Sequence, residues 1–150
     1  MTKAMRVYEH GGPEVLQWED IELGDPGEGE VQIKHTAVGL NFIDCYQRSG
    51  LYPMDLPITL GAEGAGVIKA LGPGVNDLTA GQRVAYAGGQ IGSYSEARNI
   101  LANVLVPIPD NIEDQTAAAM MLKGLTAHML LFKCYAVQPG NTILMHAAAG

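Results

Sequence analysis

Glycine sets the first limit on what this chain can become: there are 19 in 150 residues, nearly twice the usual share of roughly 7%. Many stand in short clusters between β-branched or aliphatic runs, as in Gly11-Gly12-Pro13 and Asp25-Pro26-Gly27-Glu28-Gly29. Such punctuation breaks long helices and favours short strands joined by tight turns. Strands are expected over Met5–Tyr8, Val15–Leu23, Val31–Val38, Ala65–Leu71, Arg83–Tyr86 and Tyr94–Leu101, forming a mainly β, partly open barrel. One segment departs from this rhythm. Asn41 can cap a short helix to Arg48, with Asp44 in its first turn and Gly50 just past its end.

Beyond Pro107-Ile108-Pro109-Asp110 the composition changes, and Asn111–Val137 is rich in Ala, Met and Leu at helical spacing. Two helical stretches are expected there, started by Asp110 or Asn111, separated near Gly124 and ended by Gly140. Asn141–His146 reads as a buried parallel strand followed by the small-residue loop Ala147-Ala148-Ala149-Gly150, the first half of a strand-loop-helix unit. The division expected is residues 1–110 for the barrel and 111–150 for the helices, strand and small-residue loop that follow it.

The charge balance argues against several partners. Net charge is −7, and half of the 16 acids lie between Glu9 and Glu30, so no basic face is available for nucleic acid. No apolar run approaches the ~20 residues that span a bilayer. The 2 cysteines, Cys45 and Cys134, stand in no paired motif, which fits a reducing cytoplasm. Cys45 has no basic neighbour in the sequence that would activate its thiol. His128 and His146 stand in no base–nucleophile arrangement, so no hydrolase is expected.

Six segments taken together are more specific than any one: Gly11-Gly12-Pro13-Glu14-Val15-Leu16, Asn41-Phe42-Ile43-Asp44, Arg48-Ser49-Gly50-Leu51-Tyr52-Pro53, Gly61-Ala62-Glu63-Gly64-Ala65-Gly66, Gly81-Gln82-Arg83-Val84 and Lys123-Gly124-Leu125-Thr126. In this order the chain resembles the zinc-independent, zeta-crystallin-like quinone oxidoreductase branch of the medium-chain dehydrogenase/reductase superfamily. The resemblance implies a GroES-like barrel followed by the beginning of an NADPH-binding Rossmann domain. It also places Asn41, Ala62 and Leu122 where the zinc-dependent branch carries its ligands. Those residues cannot supply the three N, S or carboxylate donors of a catalytic zinc, although Glu63 remains beside the lost histidine.

Without a Lewis acid, a carbonyl-like oxygen needs hydrogen-bond donors where negative charge develops. The resemblance assigns that catalytic role to Asn41, Tyr46 and Tyr52, with Tyr46 at a proton-relay position. It assigns cofactor contacts to Asn41, Tyr46, Thr126, Ala148 and Gly150. By their sequence alone Tyr46 is equally an amphipathic helix residue, Tyr52 a packing neighbour of Pro53, and Asp44 a complement to the helix dipole. Lys123 either reaches a phosphate or sits on a solvated face.

The function expected is transfer of reducing equivalents from NADPH to a quinone by the full-length protein, as a homodimer. Reduction of an activated carbon–carbon double bond is the enzymatic rival, and a non-catalytic oligomeric module the structural one. Taken alone, the 150-residue chain is expected not to bind NADPH measurably, and the apolar side of Asn111–Val137 to be exposed, prone to non-native association.

Overall fold

The computed structural model describes residues 1–146. Among the described residues, eight strands make two antiparallel sheets. The first contains β1 (Thr2–Val7), β2 (Leu16–Ile21) and β4 (Ile58–Thr59), in the order β2-β1-β4. The second contains β3 (Glu30–Val38), β5 (Glu63–Leu71), β6 (Arg83–Ala87), β7 (Ala97–Leu101) and β8 (Val106–Pro107), in the order β7-β3-β5-β6-β8. A bridge between Ala4 and Ser95 stitches the sheets, reinforced where the Met5 N–H meets the Tyr94 carbonyl at 2.7 Å. The result is the GroES-like arrangement, partly open rather than closed.

Alternation along β3 explains why it lies at the centre. Val31 and Ile33 point inward and are fully buried, while Lys34 between β5 and β7 faces out. With Ile68, Val84, Tyr86 and Ile100 they form the main core, closed by Leu78 and Leu105. β3 meets β5 with register shifts at Gln32/Ile33 and His35/Ala37, the second opposite Gly66. A Cβ on Gly66 would land on the Lys34 carbonyl, so only glycine lets the two strands approach this closely.

A polar knot is set into this core. His35 donates from Nδ1 to the Ser95 carbonyl at 2.7 Å and accepts the Tyr86 hydroxyl at Nε2 at 2.8 Å, which fixes its neutral tautomer. Burial, with the nearby Arg98 guanidinium as a smaller contribution, pushes the imidazole down to about 4 against the opposing pull of the Ser95 carbonyl. In the unfolded chain it titrates near ~6.5. Between those values the unfolded state binds the extra proton, so stability is full above about 6.5 and is lost as pH falls toward about 4. We expect a loss of up to about 3 kcal/mol over that window. Urea unfolding of wild type and His35→Gln at matched pH checks it: the variant's stability falls less steeply over the same window.

Helix α1 (Phe42–Ser49) leaves the barrel after β3 and ends at Gly50, whose φ of 80° is the left-handed cap conformation. Helix α2 (Asp114–His128) returns across the second sheet. Ala117 and Ala118 are small enough to seat it on Ala65, Ala85 and Ile108. Its first turn is pinned by Asp114, which accepts Arg83 Nε at 2.8 Å and the Thr36 hydroxyl at 2.6 Å. The Thr36 bond, then Arg83, hold the Asp114 carboxyl below the usual carboxylate range.

Several expectations about the chain need correction. The helix begins after Glu113 rather than at Asp110 or Asn111, and it runs unbroken through Gly124. It changes character only at Met129, where a π-helical turn extends to Cys134. Gly140 lies beyond this in a turn, at φ 87°, and does not cap the helix. Residues 141–146 form no strand: Ile143, Leu144 and Met145 are exposed, Leu144 at 85%. A parallel strand needs a neighbour to receive its ladder, and none lies beside this segment among the described residues. The strands β4 and β8, of two residues each, were not expected at all. Exposure of Leu125, Met129, Leu130 and Phe132 does match the expected apolar side. Among the described residues no helix is long and apolar enough to cross a membrane.

Candidate active site

The site is organised around a fully buried carboxylate. Glu63 begins β5 among small residues, is 0% exposed, and uses both oxygens. Oε1 accepts Asn41 Nδ2 at 2.8 Å and lies 3.6 Å from Lys123 Nζ; Oε2 accepts the Leu122 backbone N–H at 2.6 Å. Lys123 also donates to Asn41 Oδ1 at 2.9 Å and to the Leu40 carbonyl at 3.3 Å. The barrel, the start of α1 and the middle of α2 therefore meet at one acid. The Lys123 side chain stays 59% exposed, as the solvated-face reading expects, while its ammonium reaches across to Asn41 and Leu40.

A second carboxylate fixes the start of α1. Asp44 accepts the Asn41 backbone N–H at 2.8 Å, the side-chain half of a capping box, and the Tyr94 hydroxyl at 2.6 Å. Burial first, and then the bond to Asp44, raise the Tyr94 phenol well above its ordinary range and keep it a donor. Asp44 is 2% exposed, so its role is larger than complementing a dipole.

One turn further along α1, Tyr46 is 37% exposed and meets Tyr52 edge-on at 5.3 Å between ring centroids. The Phe42 ring centroid lies 6.4 Å from that of Tyr46. The Tyr52 N–H donates to the Tyr46 carbonyl at 3.1 Å, so the chain after Gly50 is folded back onto the helix. This leaves an open aromatic step suited to a flat ring. Thr126 is on α2, one turn beyond Leu122, and its hydroxyl donates to the Leu122 carbonyl at 2.8 Å. Its oxygen lone pairs remain available to accept. Asn41 is thus joined to Glu63 and Lys123, Tyr46 to Tyr52, while Thr126 bonds only within its helix. Ala148 and Gly150 lie outside the described residues.

Sequence reasoning did not anticipate Tyr94, nor the pairing of Lys123 with Asn41. The one available signal was Glu63 itself, a carboxylate inside a run of glycine and alanine that leaves room for a partner.

The residues do not fit a catalytic zinc. Among the described residues no three His, Cys, Asp or Glu side chains gather as a metal would require. Ala62 offers no donor, the Leu122 N–H is a donor rather than a ligand, and an ammonium already neutralises Glu63.

The family model of the alcohol dehydrogenase GroES-like domain matches residues 27–110, from the turn before β3 to just past β8. Over its whole length the chain is 50% identical to a quinone oxidoreductase of Pseudomonas aeruginosa, covering 46% of that protein. It is 40% identical, again over the whole chain, to a 2-haloacrylate reductase of Burkholderia, covering 47% of it. The crystal structure of Escherichia coli quinone oxidoreductase complexed with NADPH superposes with a TM-score of 0.89 at 46% identity, over 91% of this chain and 42% of that one. The chain belongs to the alcohol dehydrogenase GroES-like domain family. It spans about half the length of the curated relatives it matches.

Proposed function

We propose that this chain is the substrate-side part of a zinc-independent, NADPH-dependent quinone reductase, with residues 1–110 as the barrel domain and 111–150 as the start of the cofactor domain. The observation that carries the reading is the Asn41 amide, held by Glu63 and Lys123 at the start of the helix that also presents the Tyr46–Tyr52 step. Relatives named for quinone reduction, one of them complexed with NADPH, support it.

NADPH, when bound, supplies the reducing equivalents. Asn41, Tyr46 and Thr126 are the described residues that would hold its nicotinamide end, Thr126 as an acceptor for an amide N–H, and Ala148 and Gly150 would lie along its phosphates. Asn41 and Tyr46 donate to the oxygen that gains charge, and the aromatic faces of Tyr46 and Tyr52 align the flat substrate. Two free thiols, Cys45 and Cys134, are compatible with a reducing cytoplasm, where the enzyme would work as a homodimer.

The test is turnover of the full-length protein with NADPH across quinones, with and without a strong chelator. Quinone turnover that survives chelation is expected. Activity that vanishes on chelation and returns with zinc refutes the metal-free reading. Tyr46→Phe is expected to lower kcat about 10-fold, the lower end for loss of a positioned proton-transfer group. Tyr52→Phe should cost less than about 3-fold, since its ring contributes mainly a surface. Equal and negligible effects would return both residues to packing.

A second reading has its own support. The resemblance to a 2-haloacrylate reductase, with the Tyr46 hydroxyl as proton donor, favours reduction of activated carbon–carbon double bonds. Parallel steady-state assays of quinones and enals decide by the ratio of kcat/KM.

A further inference from the structure

Lys123 lies outside the set of residues assigned to the reaction, yet together with Glu63 it fixes how Asn41 is turned. A carboxamide can be rotated by half a turn with little change in shape, exchanging its oxygen for its nitrogen. Here the neighbours choose. A lysine ammonium only donates, so the Asn41 atom 2.9 Å from Nζ must be the oxygen. A carboxylate only accepts, so the Asn41 atom 2.8 Å from Glu63 must be the nitrogen. Glu63 is itself held by the N–H of Leu122, the residue preceding Lys123 on α2. Both ends of the amide are thus clamped from adjacent positions of one helix.

We propose that Lys123 is a positioning residue that, with Glu63, locks the plane of the Asn41 amide, leaving the second Nδ2–H fixed in direction as a donor to substrate. This rests on the proposed reaction for its consequence, though not for its geometry. Without Lys123, Glu63 still keeps the nitrogen on its own side, but Asn41 Oδ1 loses its fixed donor and the amide plane swings about that single remaining bond. The second Nδ2–H would then point at the developing negative charge for only part of the time, which lowers the rate of the chemical step and leaves cofactor affinity alone.

The experiment is a double-mutant cycle in the full-length protein with Lys123→Met, Lys123→Arg and Asn41→Ala. Lys123→Met is expected to lower kcat with NADPH and a quinone about 10-fold while KM for NADPH stays within about twofold. Lys123→Arg, which keeps a donor to Oδ1, should retain at least about a third of kcat. In the Asn41→Ala background Lys123→Met should change kcat by less than about twofold, because the group it positions is gone. Equal losses in both backgrounds would overturn the proposal. So would a tenfold rise in KM for NADPH but not for NADH at unchanged kcat, which would make Lys123 a phosphate contact.

A readout independent of turnover separates this claim from the reaction itself. The Asn41 side-chain NH2 pair, assigned in a 15N spectrum by its absence in Asn41→Ala, should shift and exchange faster with water in Lys123→Met. If it does neither, the amide is held without Lys123 and the proposal fails. A wild-type protein inactive on quinones and enals alike would sink the proposed function, and the spectrum would still decide the orientation.

Discussion

Glu63→Ala is expected to destabilise this chain by about 2–4 kcal/mol, the sum of a buried opening and two hydrogen-bond donors left unpaired. Three groups converge on that carboxylate: the Asn41 amide and the Leu122 N–H donate to it, and the Lys123 ammonium lies 3.6 Å away. Alanine removes all three contacts and leaves an opening where a side chain was 0% exposed. Glu63→Gln keeps the volume but turns one of two acceptors into a donor. Its NH2 must then face either the Leu122 N–H or the Asn41 Nδ2, so we expect about 1.5–3 kcal/mol rather than a silent change. Urea unfolding followed at Trp18, the chain's single tryptophan, measures both. A loss under about 1 kcal/mol for Glu63→Ala would mean that water replaces the carboxylate without cost, and the acid would no longer be what joins α2 to the barrel.

Gly66→Ala is expected to cost about 3 kcal/mol, at the upper end for an added methyl group in a packed interior. The new Cβ would meet the carbonyl oxygen of Lys34 and the Cα of His35, which are backbone atoms of β3 and have no rotamer to turn away. Relief requires β3 and β5 to separate beside the His35/Ala37 register shift, which pulls on the His35–Tyr86 bond and the core beneath it. Gly24→Ala is the control, with nothing within 4 Å of its added Cβ and no left-handed φ. Similar small losses at both sites would show that the strands yield easily.

These two glycine positions illustrate what a sequence does and does not reveal. Gly61-Ala62-Glu63-Gly64-Ala65-Gly66 was recognisable as a motif, because its order among other segments is distinctive. The physical reason for it was not, since Gly66 answers to a carbonyl that is distant in sequence. The long strands β3 and β5 to β7 were legible because alternation and turn residues are local signals. The pairs β4 and β8 were not, because two residues carry no alternation.

Gly124 misled in the opposite direction. A helix-interior glycine costs only about 1 kcal/mol, and its added Cβ would find nothing nearer than Met120 Cε at 3.7 Å, so α2 passes through it without a break. Asn141–His146 has the apolar pattern of a buried strand, but pattern alone cannot supply a neighbour. At the site, Asn41, Tyr46 and Tyr52 could be named from resemblance, while the reach of Lys123 to Asn41 and the Tyr94–Asp44 bond depend on packing between elements far apart in the chain.

The ammonium seated between Asn41 and Glu63 also constrains what this scaffold could become by successive single changes. Installing a cysteine at 41 and a histidine at 62 would recreate two metal-ligand positions, yet a divalent cation arriving there would meet a resident positive charge 3.6 Å from the nearby carboxylate. Removing the lysine first leaves that buried acid without its counter-charge, and replacing Asn41 first removes one of its donors. Each order of steps passes through a less stable protein, which makes the metal-free state a ratchet: a cysteine–histidine variant should take up zinc only when Lys123 is replaced in the same molecule.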